Sequence, residues 1–247
     1  MAARKIKLTI QYDGRGYHGW QVQPGLLTVQ QVLIDALRSL LNADVEVTGA
    51  SRTDAGVSAL GQCASFITDG PVPTCNIKRA LNQRLPEDIV ITEAVEVSDD
   101  FDVISDVTSK LYRYTINTGL DRPVLKIRHC WHLPIELDTT LMAKAANYLV
   151  GKHDFKSFAS AADKRNSSVR TILRCDVTRD GDEIFVDTES DGFLYNMVRN
   201  IVGTLVETGR GKLDPDTVPE ILAARHRTAA GPIAPAQGLC LVWIRYL

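Results

Sequence analysis

Apolar and polar residues alternate at the start of the chain, where Ile6, Leu8, Ile10 and Tyr12 follow the period of two that is typical of a strand. From Thr28 the period lengthens, because the apolar positions between residues 29 and 40 share one face of a helix. Thr28-Val29-Gln30-Gln31 predicts a capping box at the start of that helix. The pattern then predicts strands near 45–49 and 62–67, a helix over 75–85 that ends before Pro86, and a strand over Ile89–Val97.

The second half repeats a similar order of elements. Strands are predicted over 110–117, 128–133, 172–178, 183–188 and 239–246, with a hairpin at Arg179-Asp180-Gly181. Helices are predicted over 141–149, after a cap at Asp138 or Thr139 and before a stop at Gly151, over 194–209 and near 216–226. We therefore predict an α+β fold of two similar halves, residues 1–105 and 106–247, that share a mostly antiparallel sheet. The polar, acidic stretch near 100–108 is typical of a junction between them.

Composition excludes several classes of protein. The chain has 247 residues, of which 45% are apolar and 23% charged, as in ordinary globular proteins. No run approaches the roughly 18 apolar residues of a membrane span, and the N-terminus lacks the apolar core of a signal peptide. A formal net charge of −2, taken alone, argues against a nucleic-acid partner.

The cysteines predict a reduced, cytoplasmic protein without a metal. There are five, scattered along the chain and without a CxxC pair, which favours small core residues over disulfides. The sequence His129-Cys130-Trp131-His132 contains zinc-ligand residue types but has no second ligand pair at workable spacing. We expect no metal site.

A glycine run after the first strand, Gly14-Arg15-Gly16-Tyr17-His18-Gly19, matches the GxGxxG pattern of nucleotide-dependent oxidoreductases. Dinucleotide binding needs a helix that begins at these glycines, so that its N-terminus meets the pyrophosphate. The first predicted helix begins after Pro24 and Gly25 instead. We therefore interpret the run as a turn-rich connection.

Residues 49–62 carry the most suggestive chemistry. Asp54-Ala55-Gly56 permits a tight turn that projects a carboxylate, and Arg52 is near enough in sequence to keep it ionised. An ionised aspartate can act as a nucleophile or a base. From these residues alone, an ordinary turn with an adjacent ion pair is the simpler interpretation.

This segment resembles the catalytic loop of the TruA family of tRNA pseudouridine synthases, GRTDAGVHA. Four further segments resemble motifs of that family, in the same order along the chain. They are Lys110-Leu111-Tyr112-Arg113-Tyr114, Gly151-Lys152-His153-Asp154-Phe155-Lys156-Ser157-Phe158, Gly192-Phe193-Leu194-Tyr195-Asn196-Met197-Val198-Arg199-Asn200-Ile201-Val202-Gly203, and Ala234-Pro235-Ala236-Gln237-Gly238-Leu239-Cys240-Leu241. The resemblance covers nearly the whole chain.

The resemblance implies the pseudouridine synthase fold, with an active-site cleft between the halves, and isomerisation of uridine to pseudouridine in the anticodon stem-loop of tRNA. It assigns the nucleophile to Asp54, its basic partner to Arg199, and base stacking or proton transfer to Tyr112. Leu239 would wall the uracil, and Arg52 would fill the space beside the displaced base or bind phosphate. It implies no cofactor, since nothing is oxidised or transferred, and it implies a homodimer.

The sequence departs from the family pattern at several positions. Ser51 and Ser58 replace the usual glycine and histidine, Tyr195-Asn196 replaces a pair that is commonly His-His, and Ile104 replaces a basic residue. These departures leave two alternatives open: a catalytically weak or inert RNA-binding paralogue, and a synthase that acts on a different RNA.

Charge distribution reconciles a net charge of −2 with an RNA substrate. Residues 87–106 hold eight acidic and no basic residues, and residues 176–191 hold seven acidic residues and one arginine. The rest of the chain has 27 basic and 15 acidic residues, and Arg52, Lys110, Arg113, Arg199 and Arg210 lie in or beside the motifs. Because phosphate binding depends on the local field, we predict a confined basic surface with salt-sensitive RNA binding.

Overall fold

The computed structural model describes residues 3–163 and 165–247, and its chain divides into two units. The first unit comprises residues up to Thr108 together with Leu241–Leu247, and the second comprises Ser109–Cys240. Both units combine helices with mostly antiparallel strands, which confirms the predicted α+β class. None of the helices within the described ranges has the length and apolar character needed to cross a bilayer.

The first unit is built on a sheet in the order β4-β1-β3. Its elements are β1 (Arg4–Tyr12), α1 (Val29–Leu41), β2 (Thr48–Gly49), β3 (Ser58–Thr68), α2 (Thr74–Asn82) and β4 (Ile89–Val97). Both β1 and β2 run antiparallel to β3, and β4 runs antiparallel to β1. The alternation predicted for β1 is confirmed, because Ile6, Leu8, Ile10 and Tyr12 are all buried.

The capping box predicted at the start of α1 is half formed. The Thr28 hydroxyl accepts a hydrogen bond from the Gln31 amide, as expected. The Gln31 side chain donates forward to Asp35 instead of reaching back to Thr28. The helix ends at Asn42, whose backbone adopts the left-handed conformation with φ of 52°. The predicted strand near 45–49 is reduced to the two residues of β2.

The second unit contains the remaining sheet and most of the motif residues. Its elements are β5 (Val107–Asn117), which begins in the first unit, β6 (Trp131–His132), α3 (Thr139–Asn147), β7 (Gly151–Asp154), β8 (Val169–Asp180), β9 (Glu183–Ser190), α4 (Met197–Gly209) and α5 (Val218–Ala224). The last strand, β10 (Leu239–Tyr246), starts in this unit and lies mostly in the first. Strands follow the antiparallel order β5-β9-β8-β7, and β6 pairs parallel to β5. The predicted hairpin between β8 and β9 is present.

Local contacts decide where elements of this unit begin: of the two caps predicted for α3, Asp138 is confirmed, whereas the predicted start of α4 was wrong and β7 was not predicted. Asp138 is the cap of α3, because its carboxylate accepts hydrogen bonds from the amides of Thr140 and Leu141. Helix α4 begins at Met197 rather than near residue 194, because Asn196 holds a left-handed backbone with φ of 62°. The short strand β7 was missed, because the sequence Gly-Lys-His-Asp carries little apolar signal.

Candidate active-site elements

The loop that carries Asp54, residues 50–57, connects β2 to β3 in the first unit. The Val57 amide donates to the Asp54 carbonyl over 3.1 Å, which closes a tight turn. Gly56 has φ of 80°, a conformation that side chains disfavour, so this turn needs a glycine there. Asp54 is half-buried and Arg52 is exposed. The loop therefore presents both predicted site residues from a fixed turn.

A buried glutamine holds Ser51, near the start of this loop. Gln62 of β3 is fully buried, and its amide nitrogen donates to the Ser51 carbonyl over 2.6 Å. Its amide oxygen accepts from the Ser51 backbone N–H at 3.2 Å. Both bonds use only the backbone of Ser51, so this anchor is equally available to the glycine of the family pattern. Gln62 is the last residue of the segment 49–62, and the sequence pattern indicated no role for it.

The glycine run supports the Asp54 loop. A short 3-10 turn spans Gly14–Gly16, and the first helix begins only at Val29. A β-carbon on Gly14 would lie 1.9 Å from the Val57 carbonyl oxygen, and one on Gly19 would lie 2.5 Å from the Thr53 carbonyl oxygen. The glycines therefore allow close backbone packing beneath the loop. Close packing against the loop therefore accounts for the first and last glycines of the GxGxxG pattern.

Tyr112 lies on β5, opposite Thr188 of β9, and only 5% of the residue is exposed. Its ring and the ring of Phe193 are nearly perpendicular, at 86°, with the ring centroids 5.1 Å apart, a favourable aromatic geometry. Phe193 was quoted in a motif but was given no role. Both rings belong to segments that resemble family motifs. The place of Phe193 in such a segment is the signal by which the sequence could have pointed to it.

Arg199 projects from the first turn of α4, and its guanidinium bonds to a backbone carbonyl and to a side-chain oxygen. Its Nε donates to the Ala234 carbonyl over 2.8 Å, and one terminal nitrogen donates to the side-chain oxygen of Asn196 over 3.1 Å. Burial raises the pKa of Tyr114, and the nearby positive charge of Arg199 offsets part of that shift. The guanidinium thus has a defined direction rather than the freedom of a surface arginine.

Three of the motif segments meet around α4. Asn200 donates from its side chain to the Phe158 carbonyl at 2.7 Å, which links α4 to the segment that follows β7. A β-carbon on Gly203 would lie 1.6 Å from the Pro232 carbonyl oxygen, so only glycine permits this approach of the chain before β10. The motifs that are separated in sequence therefore form one packed region within the second unit.

Leu239, the first residue of β10, is 6% exposed. The residues before it are fixed by Tyr114, whose hydroxyl donates to the Pro235 carbonyl over 2.7 Å. A β-carbon on Gly238 would lie 2.6 Å from the Tyr114 ring, so the chain passes directly over that ring. These contacts set the position at which Leu239 enters the strand.

The departures from the family pattern have structural partners in this chain. The Ser58 hydroxyl accepts a hydrogen bond from the Gly14 amide at 3.1 Å. Asn196 supplies both the left-handed residue before α4 and an acceptor for Arg199. Tyr195 is exposed, and its backbone N–H donates to Asp163. Ile104 is 54% exposed in a turn organised by a neighbouring aspartate.

Acidic side chains neutralise part of the basic charge predicted near the motifs. Arg113 makes a bidentate ion pair with Asp187, both contacts measuring 2.7 Å, and this hydrogen-bonded carboxylate raises the pKa of Arg113. Arg210 pairs with Glu207 at 2.9 Å. The acidic window of residues 176–191 therefore spans the end of β8 and all of β9, and on β9 its Asp187 contacts a motif arginine.

The described part of the chain shows no cluster of three or more His, Cys, Asp or Glu side chains suited to a metal ion. In the segment His129-Cys130-Trp131-His132, Cys130 is buried. The ring nitrogen Nε2 of His132 lies 2.9 Å from the Gly119 carbonyl oxygen. All five cysteines are free thiols.

Comparison with known proteins bears on these elements together. A family model described as tRNA pseudouridine synthase matches residues 8–105 and 145–247. A tRNA pseudouridine synthase A of Ruminiclostridium cellulolyticum is 46% identical over 245 residues, covering 98% of this chain and all of its own length. The protein of the same name from Moorella thermoacetica is 46% identical over 243 residues, covering 98% of this chain and 99% of its own.

Similarity to solved structures is weaker. An H/ACA ribonucleoprotein bound to a substrate RNA that contains 2'-deoxyuridine matches 81% of this chain and 44% of its own chain, at 8% identity and a TM-score of 0.39. That level supports no argument about function. The family match covers most of this sequence, including the Asp54 loop and the α4 motif, and the relatives align from end to end. The chain therefore belongs to the tRNA pseudouridine synthase family.

Proposed function

We propose that this protein isomerises uridine to pseudouridine in the anticodon arm of tRNA, with Asp54 as the nucleophile. Family membership supports the reaction. The observation that carries the assignment to Asp54 is the loop itself: the family's catalytic aspartate falls on the residue that the turn closed by Val57 and Gly56 presents. A carboxylate held on a rigid turn is suited to covalent attack, because little motion is needed to reach the reacting atom.

The reaction breaks the N-glycosidic bond of uridine, turns the uracil, and joins C5 of the base to the same ribose C1′. The proton lost from C5 is balanced by one gained at N1, so the product is an isomer of the substrate. A covalent bond to Asp54 would retain one fragment during that turn. No electrons leave the substrate and no group is added, so the chemistry requires neither a redox cofactor nor a group donor. A uridine in a stem must first leave its stack, which costs a few kcal/mol.

The remaining site residues take roles in that sequence. We assign to Arg199 the positive charge that keeps Asp54 ionised, a role that suits a guanidinium whose Nε is held by the Ala234 carbonyl. Tyr112 receives the extruded base by stacking, worth about 1–3 kcal/mol, or takes part in proton transfer. Leu239 provides an apolar wall for the uracil. Arg52, exposed on the Asp54 loop, contacts the RNA.

The deciding experiment compares Asp54→Asn with wild-type protein on an anticodon-arm transcript and on full-length tRNA. Asp54→Asn should abolish pseudouridine formation and leave RNA affinity within about threefold, because asparagine keeps the shape but not the nucleophilic charge. Asp69→Asn, an exposed aspartate of the same unit, is the control and should retain full activity. Full activity of Asp54→Asn would overturn its role. An inactive wild-type protein would overturn the function.

A homodimer is the second part of the proposal. Leu120, Val124 and Leu125 are 88%, 76% and 95% exposed, and they lie within a few residues of one another in the segment between β5 and β6. Apolar side chains grouped on a surface in this way are typical of protein contacts. We expect a second copy to cover them, with one tRNA contacting both subunits.

Analytical ultracentrifugation tests this surface. Wild-type protein should sediment as a dimer, and Leu125→Asp should shift the population towards monomer. Val150→Asp, which places the same charge at another exposed apolar position of the second unit, is the control. A monomeric wild-type protein would overturn the dimer, and a dimeric Leu125→Asp variant would overturn this surface.

The cytoplasm is the proposed compartment. The five free thiols suit a reducing environment, where cysteines remain unpaired. Fractionation of cells that express the protein should recover it with the other cytoplasmic tRNA-modifying activities. Recovery of the protein with membranes would contradict the assignment.

A further inference from the structure

Two buried hydroxyl groups meet beneath the Asp54 loop. The phenolic oxygen of Tyr12 lies 2.8 Å from the hydroxyl oxygen of Thr53, and the two groups share a hydrogen bond. Tyr12 is 4% exposed and Thr53 is 7% exposed. Tyr12 is the last residue of β1, a strand in the middle of its sheet, and Thr53 immediately precedes Asp54. The bond therefore connects the proposed nucleophile's neighbour to the interior of the first unit.

The backbone of the same loop rests on the segment that follows Tyr12. The Trp20 amide donates to the Thr53 carbonyl over 3.1 Å, and the Gly56 amide donates to the Tyr17 carbonyl over 3.3 Å. Residues 12–20 thus contact the loop on both sides of Asp54. We call this segment the loop support.

The hydroxyl pair adds something that these backbone bonds do not. Main-chain hydrogen bonds fix where the loop lies, whereas the bond from Tyr12 fixes the side-chain rotamer of Thr53. Threonine is branched at its β-carbon, so its rotamer and its backbone conformation constrain each other. Fixing Thr53 in this way constrains the backbone torsion that directs the next residue, Asp54.

We propose that Tyr12 is a positioning residue, which acts through the Thr53 hydroxyl to hold Asp54 in the orientation for attack. This inference rests on the proposed function. A nucleophile displaced by about 1 Å can lose up to about 100-fold in rate, so a bond that limits loop rotation affects turnover. Substrate affinity is set by many RNA contacts and should respond little.

Single and double variants test the coupling. Tyr12→Phe and Thr53→Val each remove one hydroxyl, and each should lower kcat for pseudouridine formation by about tenfold while KM for tRNA stays within about twofold. The double variant should lose no more than either single variant, because both changes break the same bond. Thr53→Ser keeps the hydroxyl and should restore most of kcat. Losses that multiply to about 100-fold in the double variant would overturn the proposal.

Stability is separated from positioning by a matched control. Ile91→Val removes one buried methyl group from β4 of the same unit without touching the loop support, so it lowers stability while kcat should stay at the wild-type value. Hydrogen exchange at the Ala55 and Gly56 amides should quicken in Tyr12→Phe and stay unchanged in Ile91→Val. Equal kcat in wild type and Tyr12→Phe would overturn the inference and leave the proposed function intact. An inactive wild type would instead remove the function itself.

Discussion

The guanidinium Nε of Arg199 donates a hydrogen bond to the carbonyl oxygen of Ala234, and the amide of Ala234 donates one back to the carbonyl oxygen of Arg199. These bonds measure 2.8 and 3.1 Å. The exchange locks the first turn of α4 to the chain that leads into β10. The Nε end of the Arg199 guanidinium is therefore tied to the backbone that leads into β10, while the Asn196 side chain holds one of its terminal nitrogens.

Arg199→Lys should keep the positive charge and lose activity. A lysine ammonium has no equivalent of Nε, so it cannot hold the Ala234 carbonyl while presenting other donors. We expect kcat to fall between about 10- and 100-fold, with KM little changed. Arg179→Lys is the control, because Arg179 also donates to a backbone carbonyl of this unit, that of Leu137 at 2.9 Å. Steady-state pseudouridine assays measure kcat and KM for the two variants. A fully active Arg199→Lys enzyme would contradict the geometric argument.

Asn196 should respond differently to alanine and to glycine. Its backbone has φ of 62° and ψ of 9°, and its side chain accepts from Arg199. Glycine adopts the left-handed backbone without strain, so Asn196→Gly should change the free energy of unfolding little. It removes the hydrogen bond to Arg199, so the activity should fall. Asn196→Ala places an alanine in a strained left-handed conformation, so its free energy of unfolding should be about 1–2 kcal/mol below that of Asn196→Gly. Urea unfolding of the two variants checks this order, and equal stabilities would contradict it.

The sequence was informative where apolar periodicity decides the structure. The alternation of β1 and the apolar face of α1 were predicted because burial of those residues dominates their local free energy. The start of α4 was not, because one left-handed residue, Asn196, overrides the apolar pattern of residues 194–198. The role of Gly14 and Gly19 depends on residues 53–57, which are distant in sequence. A periodic pattern contains no information about such contacts, and the candidate site residues came from the family resemblance, because periodicity does not distinguish them.

Arg52 offers a test between its two proposed roles. The side chain is exposed, which favours a phosphate contact over filling the space left by a displaced base. Affinity falls as salt rises, and removing one phosphate contact should make the slope of log affinity against log salt less steep by about 1. We expect Arg52→Ala to show that decrease and to weaken binding to all anticodon-arm sequences alike. Fluorescence anisotropy across a salt series measures it, and an unchanged slope would assign Arg52 to the base instead.

Gly203 should tolerate no side chain. A β-carbon there would meet the Pro232 carbonyl oxygen at 1.6 Å, so Gly203→Ala must separate α4 from the chain before β10. We expect a loss of about 3 kcal/mol in the free energy of unfolding, together with a loss of activity through Arg199. Gly211→Ala is the control: Gly211 has φ of 69° and open space around it, so only backbone strain of about 1 kcal/mol applies. Comparable losses in the two variants would contradict the packing argument.

Cys175 should make stability fall at alkaline pH. Burial raises the pKa of its thiol from the ordinary value of 9.0 to about 12, because the thiolate cannot be solvated inside the second unit. The neutral thiol is thus favoured in the folded state, and its contribution is complete below pH 9 and declines as the pH rises from 9 towards 12. At pH 10 the loss should be about 1 kcal/mol relative to Cys175→Ala, which cannot titrate. Urea unfolding of both proteins at pH 8 and pH 10 measures the difference.

At pH 8 an alkylating reagent should modify the exposed Cys75 and leave Cys175 unmodified until the protein unfolds. Rapid labelling of Cys175 in the folded protein, or parallel pH profiles for the two proteins, would show that its thiol is accessible to solvent.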